Sequence, residues 1–300
     1  MRKESDTGMT GSDMPPMPQE DPLAREQARQ NRGTAGQWQL YAPHRAQVEK
    51  LLLSARADLA ATPVSLCVLG AGNCNDLDLN HLARLFERVR LVDIDPQALA
   101  DGLRRQAATH LRQISTQAPV DLSGLGPMLS AWHGLPPVPS AIEQAVDWVG
   151  RHQPFGNEPC AADVVLSPCL LSQLIEPVRL ALGAKHEKYP LLRKAIVARH
   201  LRLLSELVKP GGKGLLVIDL ACSDYVPDLG RTQEQDVLGL MNGLLERGKY
   251  FSGLAPHELL AVLRADATLS EVRPHRPWIW HLSLKRSFIV YAISFHKRDL

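Results

Sequence analysis

Val64-Ser65-Leu66-Cys67-Val68-Leu69-Gly70-Ala71-Gly72-Asn73 is the stretch that decides the fold. Six apolar or small residues after Pro63 make a run of strand length that is buried on both faces. Gly70 and Gly72 then permit a tight turn and a close approach of backbone to a ligand. A Leu-rich helix follows to about Phe86. A second strand, within Arg88 to Ile94, ends at Asp93, with Asp95 as helix cap and Pro96 at the first helical position. The next helix repeats Leu99, Leu103, Ala107 and Leu111 at four-residue spacing. Strand, helix, strand, helix predicts a parallel sheet with helices on both faces.

Working outward, a helix over His44 to Ala61 precedes the first strand. A short third strand includes Val120. The irregular stretch 124–159, with a helix near Ile142 to Val149, reads as an insertion over the site rim. Ala162 to Leu166 is a further buried strand, and a helix over Tyr189 to Val208 stops at Lys209-Pro210-Gly211-Gly212. Leu215 to Ile218 is the next central strand, and Pro256 opens a helix to about Arg264. Trp278 to Leu282 and Phe288 to Ile293 are too close for a crossover helix and pair antiparallel, as a hairpin at one edge of the sheet.

The 300 residues carry 34 basic and 32 acidic side chains, for a net charge of +2. That balance gives no electrostatic reason to expect a nucleic-acid or anionic-membrane partner. No apolar run reaches the roughly 20 residues of a membrane span. Residues 1–37 are polar, lack the apolar core of a secretory signal and predict a disordered tail. The five cysteines are widely spaced and odd in number, which fits reduced thiols in the cytoplasm. Cys74, Cys169 and Cys222 each follow a central strand, but they lack metal-ligand spacing, so no metal is expected.

A helix N-terminus after the glycine turn offers N–H groups to an anion. An acid at the end of the second strand, about 20 residues further on, can accept from ribose hydroxyls. Asn75 stands where a dinucleotide-binding turn has its third glycine. The pyrophosphate pattern is therefore broken, and a nicotinamide cofactor is disfavoured.

Gly70-Ala71-Gly72-Asn73, Leu91-Val92-Asp93-Ile94-Asp95-Pro96, Ala162-Asp163-Val164-Val165-Leu166-Ser167, Lys209-Pro210-Gly211-Gly212 and the closing hairpin give the chain its resemblance, over about Trp38 to Lys297, to the class I S-adenosylmethionine-dependent methyltransferases. The resemblance implies a Rossmann-like three-layer α/β sandwich in one domain, 38–300. Its sheet would be seven-stranded and mostly parallel, with an antiparallel C-terminal edge hairpin. The cofactor implied is S-adenosyl-L-methionine, with Gly70, Ala71, Gly72 and Asn73 at the methionine end, Asp93 and Ile94 at the ribose, Asp121 at the adenine and Ser167 on the rim. The segment Trp38 to Arg45 would fold over the pocket, with Tyr41 and His44 as candidates to orient the acceptor or act as base. The acceptor would be a small molecule or a protein side chain.

Two departures stand out. The family often has an acid where this chain has Val68, and a third glycine where it has Cys74. They motivate the alternative of a catalytically degenerate Rossmann-like protein that binds a nucleoside or a partner.

Overall fold

A computed structural model describes residues 22–59, 63–132, 137–156 and 161–299. In chain order the elements are α1 (Pro22–Thr34), α2 (Ala42–Ala57), β1 (Ser65–Leu69), α3 (Leu79–Leu85), β2 (Arg88–Val92), α4 (Pro96–Arg105), β3 (Ile114–Gln117), α5 (Gly126–Ala131) and α6 (Pro139–Arg151). They continue with β4 (Ala162–Pro168), α7 (Leu170–Leu182), α8 (Tyr189–Leu207), β5 (Val208–Cys222), α9 (Val237–Glu246), α10 (Pro256–Ala265), β6 (Leu269–Pro274), β7 (Trp278–His281) and β8 (Ser287–Lys297).

One sheet runs β3-β2-β1-β4-β5-β8-β6. Pairings from β3 to β5 are parallel, and β8 is antiparallel to β5. The expected architecture is present, with one correction. The sheet has eight strands, because the edge beyond β8 is broken in two. β6 pairs with Leu269↔Lys297 through Pro274↔Ile293, and β7 pairs with Trp278↔Val290 through His281↔Ser287. They cover successive halves of one flank of β8. The hairpin pair β7–β8 forms as expected, but β8 is an interior strand because β5 takes its other flank.

Successive side chains of a strand point to opposite faces, and each face has its own core. Cys67, Leu69, Val165, Leu216 and Ile218 pack with Ile142 of α6, Leu171 of α7, Leu192 of α8 and Leu259 of α10. Leu66, Val68, Val164, Leu166, Leu215 and Val217 pack with Val48 of α2, Leu82 of α3 and Leu99 of α4. That makes three layers.

Several boundaries move. The helix expected directly after the glycine turn starts only at Leu79, because Asp78 is its cap and accepts from the His81 N–H at 2.9 Å. No helix N-terminus therefore meets a ligand at the turn. β3 ends at Gln117, short of Val120, since Pro119 has no N–H to offer a ladder. Lys209 to Gly212 bulge out within β5, between the pairs Ala162↔Val208 and Val164↔Lys213. Ile142, Ala145 and Val149 seat α6 in the core beside α8. Among the described residues none of 124–159 lines the site cleft, so the rim-insertion reading is set aside. The predicted tail 1–37 also needs correction, because Pro22–Thr34 is helical. Residues 1–21 lie outside the described part.

Helix α4 crosses the glycine turn closely. A Cβ on Gly102 would sit 2.7 Å from the Asn73 carbonyl oxygen and 3.1 Å from Cys74 Sγ. Alanine gains ~1 kcal/mol in a helix interior, but overpacking a fixed backbone costs ~1–3 kcal/mol. Gly102→Ala is expected to lower stability by about 1 kcal/mol, read as a lower urea midpoint at unchanged m. A stabilised variant would show that helix and turn can separate.

Candidate functional site

The carboxyl ends of β1, β2, β4 and β5 open on a cleft of about 1360 Å³. Gly70 to Asn73, Asp93, Ile94, Asp121 and Tyr41 all line it. Gly70 takes φ +74°, and a Cβ there would meet Leu170 Cδ1 at 2.7 Å. Glycine is thus favoured at this corner by its backbone conformation, and a larger residue would also have to displace the Leu170 side chain. Cys74, where a third glycine was expected, holds φ +55° itself.

The Gly72 N–H donates to Asp93 Oδ2 at 2.7 Å, and the Asp95 N–H donates to Asp93 Oδ1 at 2.9 Å. The turn and the end of β2 are therefore joined. Each Asp93 oxygen keeps a lone pair for a further donor. Burial pushes this carboxyl up to about 6, with the Asp95 and Gly72 N–H groups pulling it back.

Helix α1 closes over the turn, and sequence reasoning missed it. Asn31 Nδ2 donates to Asp95 Oδ2 at 3.0 Å. Asn73 Nδ2 donates to the Asn31 carbonyl at 2.6 Å and to Thr34 Oγ1 at 3.0 Å. Asn75 Nδ2 donates to the Thr34 carbonyl at 2.9 Å. Gln27 Nε2 donates to Gln173 Oε1 at 2.9 Å, further along the cleft. Asn31 is the buried residue of α1. The helix is held by amides rather than by an apolar stripe, which is why no periodicity announced it.

Other expected residues turn their polar atoms toward protein partners. Asp121 Oδ1 accepts from Ser123 N–H, Ser123 Oγ and Gly124 N–H, and its Oδ2 accepts from Gly126 N–H. Most of its capacity goes to its own loop. Ser167 is buried against His200, Oγ to Nε2 at 2.8 Å, and is not among the residues lining the cleft. His44 is also buried and does not reach the cleft. Trp278 Nε1 can only donate, and it donates to His44 Nδ1 at 3.0 Å. The proton of neutral His44 therefore sits on Nε2, which faces Asp76 Oδ1 at 3.6 Å. Burial drives the His44 imidazole down to about 3, so it stays neutral.

Asp76 and Asp219 also line the cleft and were not anticipated. Asp76 Oδ1 is buried without a hydrogen-bond partner, and burial raises its carboxyl to about 7 against the pull of Arg45. Asp219, near the end of β5, accepts from Ser172 Oγ at 2.7 Å on both oxygens. Burial raises it to about 7, with Ser172 pulling it back. The signal in sequence was a lone acid inside the apolar run Leu215 to Cys222.

Cys74, Cys169 and Cys222 are buried free thiols, and burial raises Cys169 well above its ordinary value. Among the described residues no group of three or more His, Cys, Asp or Glu is placed to hold a metal ion. Among them also, no helix is long and apolar enough to cross a membrane.

No protein-family model matches the chain, and neither does any curated protein. Solved structures similar to it include proteins described as methyltransferases. One is an O-methyltransferase family protein from Burkholderia thailandensis, 14% identical with TM-score 0.43, covering 92% of this chain; the chain spans 61% of that protein's length. A second is the N-methyltransferase NodS from Bradyrhizobium japonicum WM9 in complex with S-adenosyl-L-homocysteine, 12% identical with TM-score 0.47, covering 92% of this chain and 99% of the other. A third is magnesium protoporphyrin IX methyltransferase from Synechocystis PCC 6803 with bound S-adenosylhomocysteine, 11% identical with TM-score 0.44, covering 85% and 83%. By its own strand order the chain is a Rossmann-like α/β protein with an antiparallel strand inserted beside its C-terminal edge.

Two outcomes follow from this geometry. Asn73→Ala removes two bonds to α1, each worth about 1 kcal/mol. Trypsin cleavage after Arg29 and Arg32 is expected to speed up at least about fivefold, with the global melting temperature little changed; an unchanged rate would show that α1 is anchored otherwise. The folded Asp76 carboxyl lies near 7 against an ordinary 3.8. Between about pH 4 and 7 the native state therefore binds more protons than the unfolded chain, and this group's contribution falls as pH rises. Relative to Asp76→Asn, the wild type is expected to lose at least ~1 kcal/mol across that window, measured as denaturant midpoints. A flat difference would place Asp76 in solvent.

Proposed function

We propose that the chain is an S-adenosylmethionine-dependent methyltransferase. The observation that carries this reading is the 2.7 Å bond from Gly72 N–H to Asp93, which puts the glycine turn and the β2 acid on one wall of one cleft. The residues present suit the cofactor. The turn has no side chain at Gly70 or Gly72 to block close approach. Asp93 has lone pairs for ribose hydroxyls, with Ile94 beside it. Asp76 lines the same cleft with a partly exposed side chain and suits an ammonium as acceptor. Val120 and Leu122 supply apolar flanks for a base near Asp121. Val68, where the family often has an acid, is fully buried, and Asp76 offers a carboxylate in its stead.

Bound S-adenosylmethionine supplies a methyl group on a sulfonium, ready for in-line displacement. The protein's own part is to hold the acceptor in line and keep water out. The α1 helix, bridged to Asn73, Asn75, Asp95 and Gln173, does the second. Tyr41 lines the cleft and suits acceptor positioning; burial raises its phenol well above the usual range, so it acts as a donor and not as a base. His44, with its proton fixed on Nε2, faces Asp76 at 3.6 Å. Ser167 backs the rim through His200 rather than touching ligand. The acceptor in this reading is a small molecule or a protein side chain. The buried free thiols suit a reducing cytoplasm.

Calorimetry tests the reading. S-adenosylhomocysteine is expected to bind, and NAD is not. Asp93→Asn is expected to weaken that binding roughly 10- to 100-fold, the worth of a hydrogen bond to a charged group. No heat and no thermal shift at millimolar S-adenosylmethionine would leave only a protein of this fold without the cofactor.

A further inference from the structure

The chain has few aromatic residues, five each of Trp, Tyr and Phe. Yet Tyr41, Trp280, Phe288, Phe251 and Tyr225 all line the same cleft. Their rings form a continuous series. Tyr41 meets Trp280 edge-on at 5.2 Å, Trp280 meets Phe288 at 5.2 Å, Phe288 meets Phe251 at 6.3 Å, and Phe251 meets Tyr225 at 6.2 Å. Trp280 Nε1 is buried without a partner.

Asp219 lines this cleft too. The strand register fixes its place. Val68 is level with Leu166 and Leu166 with Leu215, so Gly70 is level with Val217 two strands away. At ~4.8 Å per strand the turn and β5 are about 10 Å apart, with Asp219 two residues further along. Its donors are the Ser172 hydroxyl and its own backbone N–H, and among the described residues no cation forms an ion pair with it. The groups around it do not supply one. Cys169 and Tyr291 are neutral, and the Tyr291 hydroxyl is spent on the Leu254 carbonyl at 2.7 Å. Arg286 acts on Asp219 only as a minor charge. It is paired with Asp224 at 3.0 Å and lies over the Phe288 ring at 5.2 Å.

A carboxylate taken out of water with only neutral donors for company wants a counter-charge. Ring faces stabilise a cation and do nothing for an anion. We propose that Asp219 and the series Tyr41–Trp280–Phe288–Phe251–Tyr225 bind an organic ammonium, so that the methyl acceptor is an amine nitrogen. This rests on the methyltransferase reading and names its substrate class. The acceptor arrives protonated, with its charge on the ring faces that His44, stacked on Trp280 at 4.7 Å, and Arg286, over Phe288 at 5.2 Å, leave open, and one N–H directed at Asp219. That N–H bond breaks, its electron pair stays on nitrogen, and the proton passes to an Asp219 oxygen. The nitrogen is then a nucleophile and the carboxyl is neutral. Ser172 holds Asp219 in place and is a positioning residue.

The test uses the full chain saturated with S-adenosylhomocysteine. Phenethylamine and tryptamine are titrated by calorimetry against their neutral counterparts, 2-phenylethanol and tryptophol. The amines are expected to bind at least about tenfold more tightly, and more tightly as pH rises from 6 to 8. Asp219→Asn is expected to abolish the preference while S-adenosylhomocysteine affinity stays within about twofold. Tyr225 is largely exposed, so Tyr225→Leu leaves the fold intact; it is expected to weaken amine binding about two- to fivefold and to leave the alcohols alone.

Equal binding of amines and alcohols, or a preference that survives Asp219→Asn, overturns the proposal. So does an Asp219→Asn variant that loses S-adenosylmethionine but keeps S-adenosylhomocysteine, because the carboxylate would then serve the sulfonium. A wild-type chain that binds no S-adenosylhomocysteine would overturn the methyltransferase reading itself, and this one with it.

Discussion

The Asp93 carboxylate accepts one N–H from the glycine turn and another from Asp95, and Asp95 in turn caps α4 by accepting from Gln97 and Ala98. Asp95 Oδ2 also receives the Asn31 amide from α1. Two adjacent acids thus tie together β1, β2, α4 and α1. The constraint is steep because both are buried. A buried carboxylate without donors is costly, so the turn and the cap must form together, and α1 adds its amide to the second acid.

That coupling explains the shape of the site. Gly102 brings α4 against the turn, and Asn73 and Asn75 turn their amides up to α1. The walls are then fixed by hydrogen bonds near the turn and by packed rings farther out. One end of the cleft is rigid, polar and suited to a ligand with many hydrogen-bonding groups. The other is aromatic, with a single deep acid at its base.

The sequence made the near end legible and the far end almost invisible. Leu66 to Leu69 is an apolar run and Val89 to Val92 is apolar apart from Arg90; both are closed by turn residues, and the pairing of Gly72 with Asp93 follows from their order. The antiparallel β7–β8 pair was fixed by the shortness of its link. Helix α1 was not legible, since its stability comes from asparagines on other elements and not from its own spacing. The directions of the Asp121 and Ser167 oxygens were not legible for the same reason. Position in a motif says where a side chain starts, but partners decide where its oxygens point, and those partners were Ser123, Gly124, Gly126 and His200. Asp219 and the ring series depend on contacts between α7, β5, β7, β8 and the 248–252 loop, which no local pattern encodes.

The divided flank of β8 has an effect far from the cleft. An unbroken outer strand offers a row of free amide and carbonyl groups on which a neighbouring molecule can build. Here the row is interrupted between Pro274 and Trp278, kinked by Glu271 at φ +51°, and carries Arg273 beside it. The opposite margin, β3, is only 4 residues long. Neither border presents a long straight template, so the molecule resists polymerising edge to edge when it is crowded.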